Sequence, residues 1–168
     1  MKNTNKKSTV PALYLATAAI IAALYVIFTA LSAMFGLASG VIQVRLSEAL
    51  TILPFFTPAA IPGVTLGCLL ANLLTGAPLP DVIFGTLATF LGVLGASFLK
   101  KHRYLIALPT ILSNAIIIPL VLQYAYGVPD AFWYLMLTVG AGEVISAGIL
   151  GGLLLYVLQK HKLFSNIL

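Results

Sequence analysis

Charge is scarce in this 168-residue chain: 8% of its residues are charged, against roughly 25% in an ordinary soluble domain. Hydrophobic residues make up 61%, and the mean hydropathy is +1.09. That deficit excludes a soluble globular domain and marks an integral membrane protein. Acids are the rarest charges, only Glu48, Asp81, Asp130 and Glu143. Cysteine is rarer still, and the single Cys68 rules out an intramolecular disulfide or a thiolate metal cluster. No Gly-x-x-x-x-Gly-Lys-Ser/Thr phosphate loop occurs, so ATP chemistry has no recognisable seat in this chain. The two histidines, His102 and His161, sit in basic clusters, and no Ser-His-Asp set or histidine-rich metal spacing falls in the apolar runs. Neither catalysis nor a bound metal or cofactor is expected. A small intramembrane enzyme with Glu48 and Glu143 as acid and base is the competing reading, but it lacks a nucleophile–base pair. No sequence repeat between the halves suggests an inverted-repeat transporter.

The cations are almost all gathered in three clusters: Lys2, Lys6 and Lys7; Lys100, Lys101 and Arg103; Lys160 and Lys162. Clusters flanking apolar runs read as cytoplasmic anchors, not as a nucleic-acid patch. The charged start and the Ala30-Leu-Ser-Ala33 tetrapeptide faintly resemble a signal peptide. The apolar run between them is longer than the roughly 7–15 residues of a signal core, and a retained first span is expected.

The reading is all-α: a multi-pass six-helix bundle in the cell membrane, forming one integral membrane domain over residues 1–168. Spans are expected at about 11–38, 44–56, 59–74, 82–99, 104–124 and 131–158. The stretch from Val41 to Leu74 decides the count, since one straight helix of that length would run about 50 Å at 1.5 Å per residue, against a hydrocarbon core of roughly 30 Å. Pro54, Pro58 and Pro62-Gly63 supply the break. Split there, the chain has both termini and the Lys100–Arg103 loop on the cytoplasmic side, as a Lys/Arg bias requires; unsplit, that loop and the C-terminal basic residues would lie outside. Gly36, Ser39 and Gly40 mark an outer turn. Tyr124, Tyr126, Phe132, Trp133 and Tyr134 read as an interfacial belt.

Small residues recur at helix-packing spacing: Ala12, Ala16, Ala19 and Ala23, with Ala18 and Ala22 as a second pair; Gly63, Gly67 and Ala71; Gly92 and Ala96; Gly148 and Gly152. Polar residues in the apolar runs are the candidate site. Arg45 and Glu48, three apart in Gln43-Val-Arg-Leu-Ser-Glu-Ala-Leu-Thr-Ile-Leu-Pro54, share a helical face. Glu143 in Gly140-Ala-Gly-Glu143 would lie well inside its helix, where an ionised carboxylate needs a partner. Asn72, Asp81 and Asn114 complete the set. Arg45, Glu48, Asn72 and Asp81 fall in the outer half of a six-span chain and can converge on one pocket. Several carboxylates with one arginine suit a small polar ligand rich in donors or positive charge; the bland alternative is an internal Arg45–glutamate pair that only fixes packing.

The Gln43–Pro54 segment, followed by Gly63-Val-Thr-Leu-Gly67-Cys-Leu-Leu-Ala71-Asn72, resembles the queuosine-precursor transporter family, the substrate-binding S components of energy-coupling-factor (ECF) transporters. The resemblance implies a six-helix protein that captures a 7-deazaguanine such as preQ1 outside. Import would then need a transmembrane coupling subunit and two ATPase subunits that consume the ATP. It further implies docking on the coupling subunit through an Ala-x-x-x-Ala motif, either Ala18/Ala22 or Ala19/Ala23. On this view Glu48 or Glu143 reads the two parallel N–H donors of the purine-like edge, Asp81 or the other glutamate holds an aminomethyl cation, and Arg45 or an asparagine donates to the ring carbonyl. An S component for another vitamin-like solute and an autonomous secondary transporter are the alternatives.

Overall fold

The computed structural model describes residues 6–38 and 42–161, with side chains from residue 11 onward. The side chains of Lys2, Lys6 and Lys7, the expected turn at Ser39 and Gly40, and Lys162 lie outside the described residues. Among the described residues there is no strand, and six helical rods follow one another: α1 (Lys6–Met34), α2 (Leu46–Phe55), α3 (Ala60–Leu74), α4 (Asp81–Phe98), α5 (Leu108–Tyr124) and α6 (Phe132–Lys160). The expectation of an all-helical membrane bundle holds. Three stretches, Pro11–Met34 of α1, all of α4 and all of α6, are by length and composition able to cross a membrane. The other three are shorter apolar helices.

Rod α2 departs most from the expected span over 44–56. It is a 3-10 helix of 10 residues, and every residue from Ser47 to Pro54 is buried. At about 2.0 Å rise per residue it covers roughly 20 Å, where an α-helix of the same residues would cover about 15 Å. Runs of 3-10 helix this long are uncommon because their hydrogen bonds are poorly aligned. Two residues ease it here: Pro54 brings no N–H, and the Thr51 hydroxyl donates to the Glu48 carbonyl at 2.7 Å. Rods α1, α3, α4 and α6 all pack on α2, so no lipid reaches its backbone. Boundaries elsewhere also shift. Rod α1 stops at Met34 rather than 38, and α5 begins at Leu108 rather than 104, because residues 100–107 form a turn-rich loop.

Around α2 the contacts run α1–α3–α4–α5–α6. Side chains of α2 (Leu50, Ile52 and Leu53) and Phe56 just after it fill the centre against Ile21 and Tyr25 of α1, Val64 of α3, Val93 of α4 and Leu155 of α6. In lipid the drive for such packing is close van der Waals contact rather than water exclusion, and small residues permit it. The alanine pairs of α1 separate on this basis. Ala18 and Ala22 are buried against Gly63 and Gly67 of α3, where an added Cβ would come within 2.8 Å of the Ala18 carbonyl and 3.0 Å of the Ala22 Cα. Ala12, Ala16, Ala19 and Ala23 face outward.

The tightest approach is where residue 43 crosses α6. A Cβ on Gly142 would sit 2.0 Å from the Gln43 carbonyl oxygen, whereas a Cβ on Gly152 would meet nothing within 4 Å. Gly142→Ala is therefore expected to lower stability by about 1–3 kcal/mol or more, and Gly152→Ala to be neutral or mildly stabilising, as Ala is the better helix former. Thermal melts of the two purified variants against wild type check this; equal melting temperatures would contradict the crossing.

Candidate functional site

The crossing delivers the backbone to α2 with its first N–H groups unpaired, as at any helix start. Two hydroxyls from neighbouring rods accept them. The Leu46 N–H donates to Ser32 Oγ of α1 at 2.8 Å and the Arg45 N–H to Ser146 Oγ of α6 at 3.0 Å. Each serine in turn donates to its own helix, Ser32 to the Phe28 carbonyl at 2.9 Å and Ser146 to the Gly142 carbonyl at 2.8 Å. The Thr29 and Ser47 hydroxyls meet at 2.9 Å beside them. Arg45 precedes α2 in an extended conformation, and its carbonyl accepts the Glu48 N–H at 3.1 Å.

Glu48 is buried, and its Oε1 accepts a hydrogen bond from the Tyr25 hydroxyl of α1. Glu143 is buried on α6 and faces the Asn114 amide of α5. It is the last residue before a π-helical stretch, Val144–Leu150, a widened turn of the kind common at functional sites. Arg45 interacts electrostatically with both carboxylates. Glu48 Oε2 and Glu143 Oε2 nevertheless have no hydrogen-bond partner while fully buried. The internal Arg45–glutamate pair considered from sequence therefore leaves both outer oxygens unanswered.

Arg45, Glu48, Asn114 and Glu143 line one cavity of about 420 Å³, together with Asp81, Asp130, Gln43, Thr89, Tyr134 and Thr138. Its volume falls in the range of roughly 300–1,000 Å³ usual for small-molecule sites. Aliphatic walls come from Ile118, Leu122, Val128 and Val139. Asp81 opens α4 on a π-helical turn, Asp81–Gly85, and Asp130 lies in the α5–α6 connection, so the acids gather at one end of the bundle. In that connection the partly exposed Tyr126 phenol has its pKa raised above the ordinary value by desolvation and by the facing Asp81 carboxylate. Asn72 does not line the cavity. It is buried behind the wall, where its amide donates to the Asp81 carbonyl at 3.3 Å and to Cys68 Sγ at 3.6 Å. Thr89 donates to the same sulfur at 3.4 Å.

A family model described as QueT transporter matches residues 15–160. The chain belongs to the QueT transporter family. Family membership and the three long apolar helices make it a membrane protein. Over 82 residues it is 44% identical to the queuosine precursor transporter QueT of Lactococcus lactis subsp. cremoris (strain MG1363), a match covering 46% of this chain and 48% of that relative. The chain thus spans about half the length of the curated relative it matches. No solved structure matches.

In this QueT-family chain, sequence reasoning missed Tyr25, because a tyrosine in an apolar helix carries no charge to stand out. Tyr134, read from sequence as part of an interfacial belt, is about half exposed and is also a lining residue of the cavity. Gln43 was noticed only as the start of a segment. Tyr25→Phe keeps the ring and removes the donor, leaving Glu48 with both oxygens unpaired. It is expected to cost about 1–3 kcal/mol, read as a lowered melting temperature of the purified protein; unchanged melting would show that the bond contributes nothing.

Proposed function

We propose that this chain is the substrate-binding S component of an ECF-type importer, and that it captures a 7-deazaguanine precursor of queuosine from outside the cell. The supporting observation is the pair of buried, unpartnered carboxylate oxygens, Glu48 Oε2 and Glu143 Oε2, on two residues that line one cavity. A buried acceptor without a donor costs free energy that a donor-bearing ligand recovers. The amide and amino N–H groups along the edge of a guanine-like base are two parallel donors that suit a carboxylate, and an aminomethyl substituent is a cation that suits a second. Family membership and the name of the Lactococcus lactis relative agree with that ligand class.

In this reading Glu48 and Glu143 accept the ring-edge donors, with Tyr25 and Asn114 orienting them. Asp81, at the open end, takes the amine, and Arg45 donates to the ring carbonyl. Asn72 acts through the wall by holding the first turn of α4. The acid-bearing end faces outward and the basic end faces the cytoplasm, in line with the Lys/Arg bias. The coupling subunit docks on the outward-facing Ala19/Ala23 pair, since Ala18 and Ala22 are already covered by α3. Two ATPase subunits supply the energy.

Glu48→Gln and Glu143→Gln are each expected to weaken calorimetric binding of an aminomethyl-deazaguanine by about 10- to 100-fold, as loss of a charge-assisted hydrogen bond of roughly 1.5–3 kcal/mol requires. In liposomes, uptake should need ATP, the coupling subunit and both ATPases. Wild-type affinity in both variants would remove the site assignment, and uptake by this chain alone would replace the S component with an autonomous transporter.

A further inference from the structure

A second cavity, of about 540 Å³, lies at the other end of the bundle, between the α4–α5 loop, α5 and the last turns of α6. Its wall is apolar, with Ile52, Ile111 and Leu155 among the lining residues, and its one charged lining residue is Arg103. The groove exists because α6 carries Gly148 and Gly152 there. A Cβ on Gly152 would touch nothing, and one on Gly148 would reach only 3.7 Å from Ile111. Next to the groove's lining residues in sequence stand outward-facing apolar side chains: Ile149, Leu153 and Leu112 are all more than half exposed.

Charge is segregated along the bundle. Every acid of the chain lines the first cavity. Lys100, Lys101, Arg103 and Lys160 stand at the second end, and no acid lies between residues 86 and 129 or beyond Glu143. The Arg103 guanidinium is 4.6 Å from the Tyr104 ring centroid and donates to that tyrosine's hydroxyl through Nη2. A guanidinium has five N–H donors in a planar fork, so most of them remain for an oxyanion.

From this juxtaposition we infer that the groove is a binding site for an anionic phospholipid, with the phosphate on Arg103 and an acyl chain along the Gly148/Gly152 face of α6. The exposed apolar side chains beside the groove suit an acyl chain from the bilayer, and the surrounding cations add attraction of about 1 kcal/mol each near a membrane surface. A free anion would use the guanidinium but leave the apolar groove unfilled. The inference stands on the second cavity and does not depend on the ligand of the first.

Native mass spectrometry of the purified full chain tests it, after equilibration in detergent with phosphatidylglycerol or with phosphatidylcholine of the same acyl chains. Wild-type protein should retain phosphatidylglycerol preferentially. Arg103→Gln should reduce that retention roughly fivefold, the equivalent of one cation. Gly152→Leu, whose Cβ would meet nothing within 4 Å, puts a side chain into the groove and should reduce retention of both lipids. Arg103 is exposed, so both variants should melt as wild type does. Equal retention of the two lipids by wild-type protein overturns the inference without reference to any variant. Retention unchanged in Arg103→Gln, or displacement of the lipid by glycerol 3-phosphate alone, also overturns it.

Discussion

At membrane depth a backbone N–H has no water to fall back on, and the start of α2 presents two such groups in the middle of the protein. Ser146 of α6 takes the one at Arg45 and Ser32 of α1 the one at Leu46. These two bonds fix a short 3-10 rod between helices that do not otherwise close on each other. They depend on the absence of a side chain at Gly142, over which the Gln43 carbonyl passes. The core assembles around the rod, and the rod carries Glu48 into the cavity wall just after Arg45.

The same placement sets the electrostatics. Two carboxylates and one guanidinium are held on the wall of an inner cavity, with Glu48 and Glu143 buried, and burying charge is costly unless it is paired. Glu48 has Tyr25 on one oxygen, Glu143 has Asn114 nearby, and each keeps a buried oxygen unanswered. A core selected only for stability would satisfy those atoms or replace them with apolar groups. An arrangement that leaves acceptors poised around a cavity is what recognition of a donor-rich solute requires, since a ligand lacking the donors would leave them unpaired. On the two proposals made above, charge separation along the bundle gives the ends different partners, donors and cations at the acidic end and anionic headgroups at the basic one.

Much of this was legible in the sequence, for identifiable reasons. Arg45, Glu48 and Glu143 stand out because charge is so rare in apolar runs, and the three-residue spacing of Arg45 and Glu48 puts those two on one helical face. The helix break expected between Val41 and Leu74 followed from geometry that any chain obeys, and it falls at Pro58, between Phe55 and Ala60, with Pro54 and Pro62 inside the flanking helices. Other features depended on tertiary context. A 3-10 helix and an α-helix of the same ten residues have nearly the same apolar pattern, so α2 was expected as an ordinary short span. Alternating alanines on α1 could not say which pair packs inward until Gly63 and Gly67 were found against Ala18 and Ala22. Asn72 was grouped with the pocket because it is polar and near the outer end of its helix, yet it turns toward Cys68 and the first turn of α4.

The central claim is that unpartnered buried carboxylate oxygens recognise the N–H donors of a guanine-like edge. The most direct measurement is calorimetric binding to the wild-type protein of two ligands that differ by one group, an aminomethyl-7-deazaguanine and the same molecule without its exocyclic 2-amino group. Loss of one donor to a buried carboxylate should weaken binding by about 10- to 100-fold. Equal affinity for the two, or binding of neither, would contradict the account.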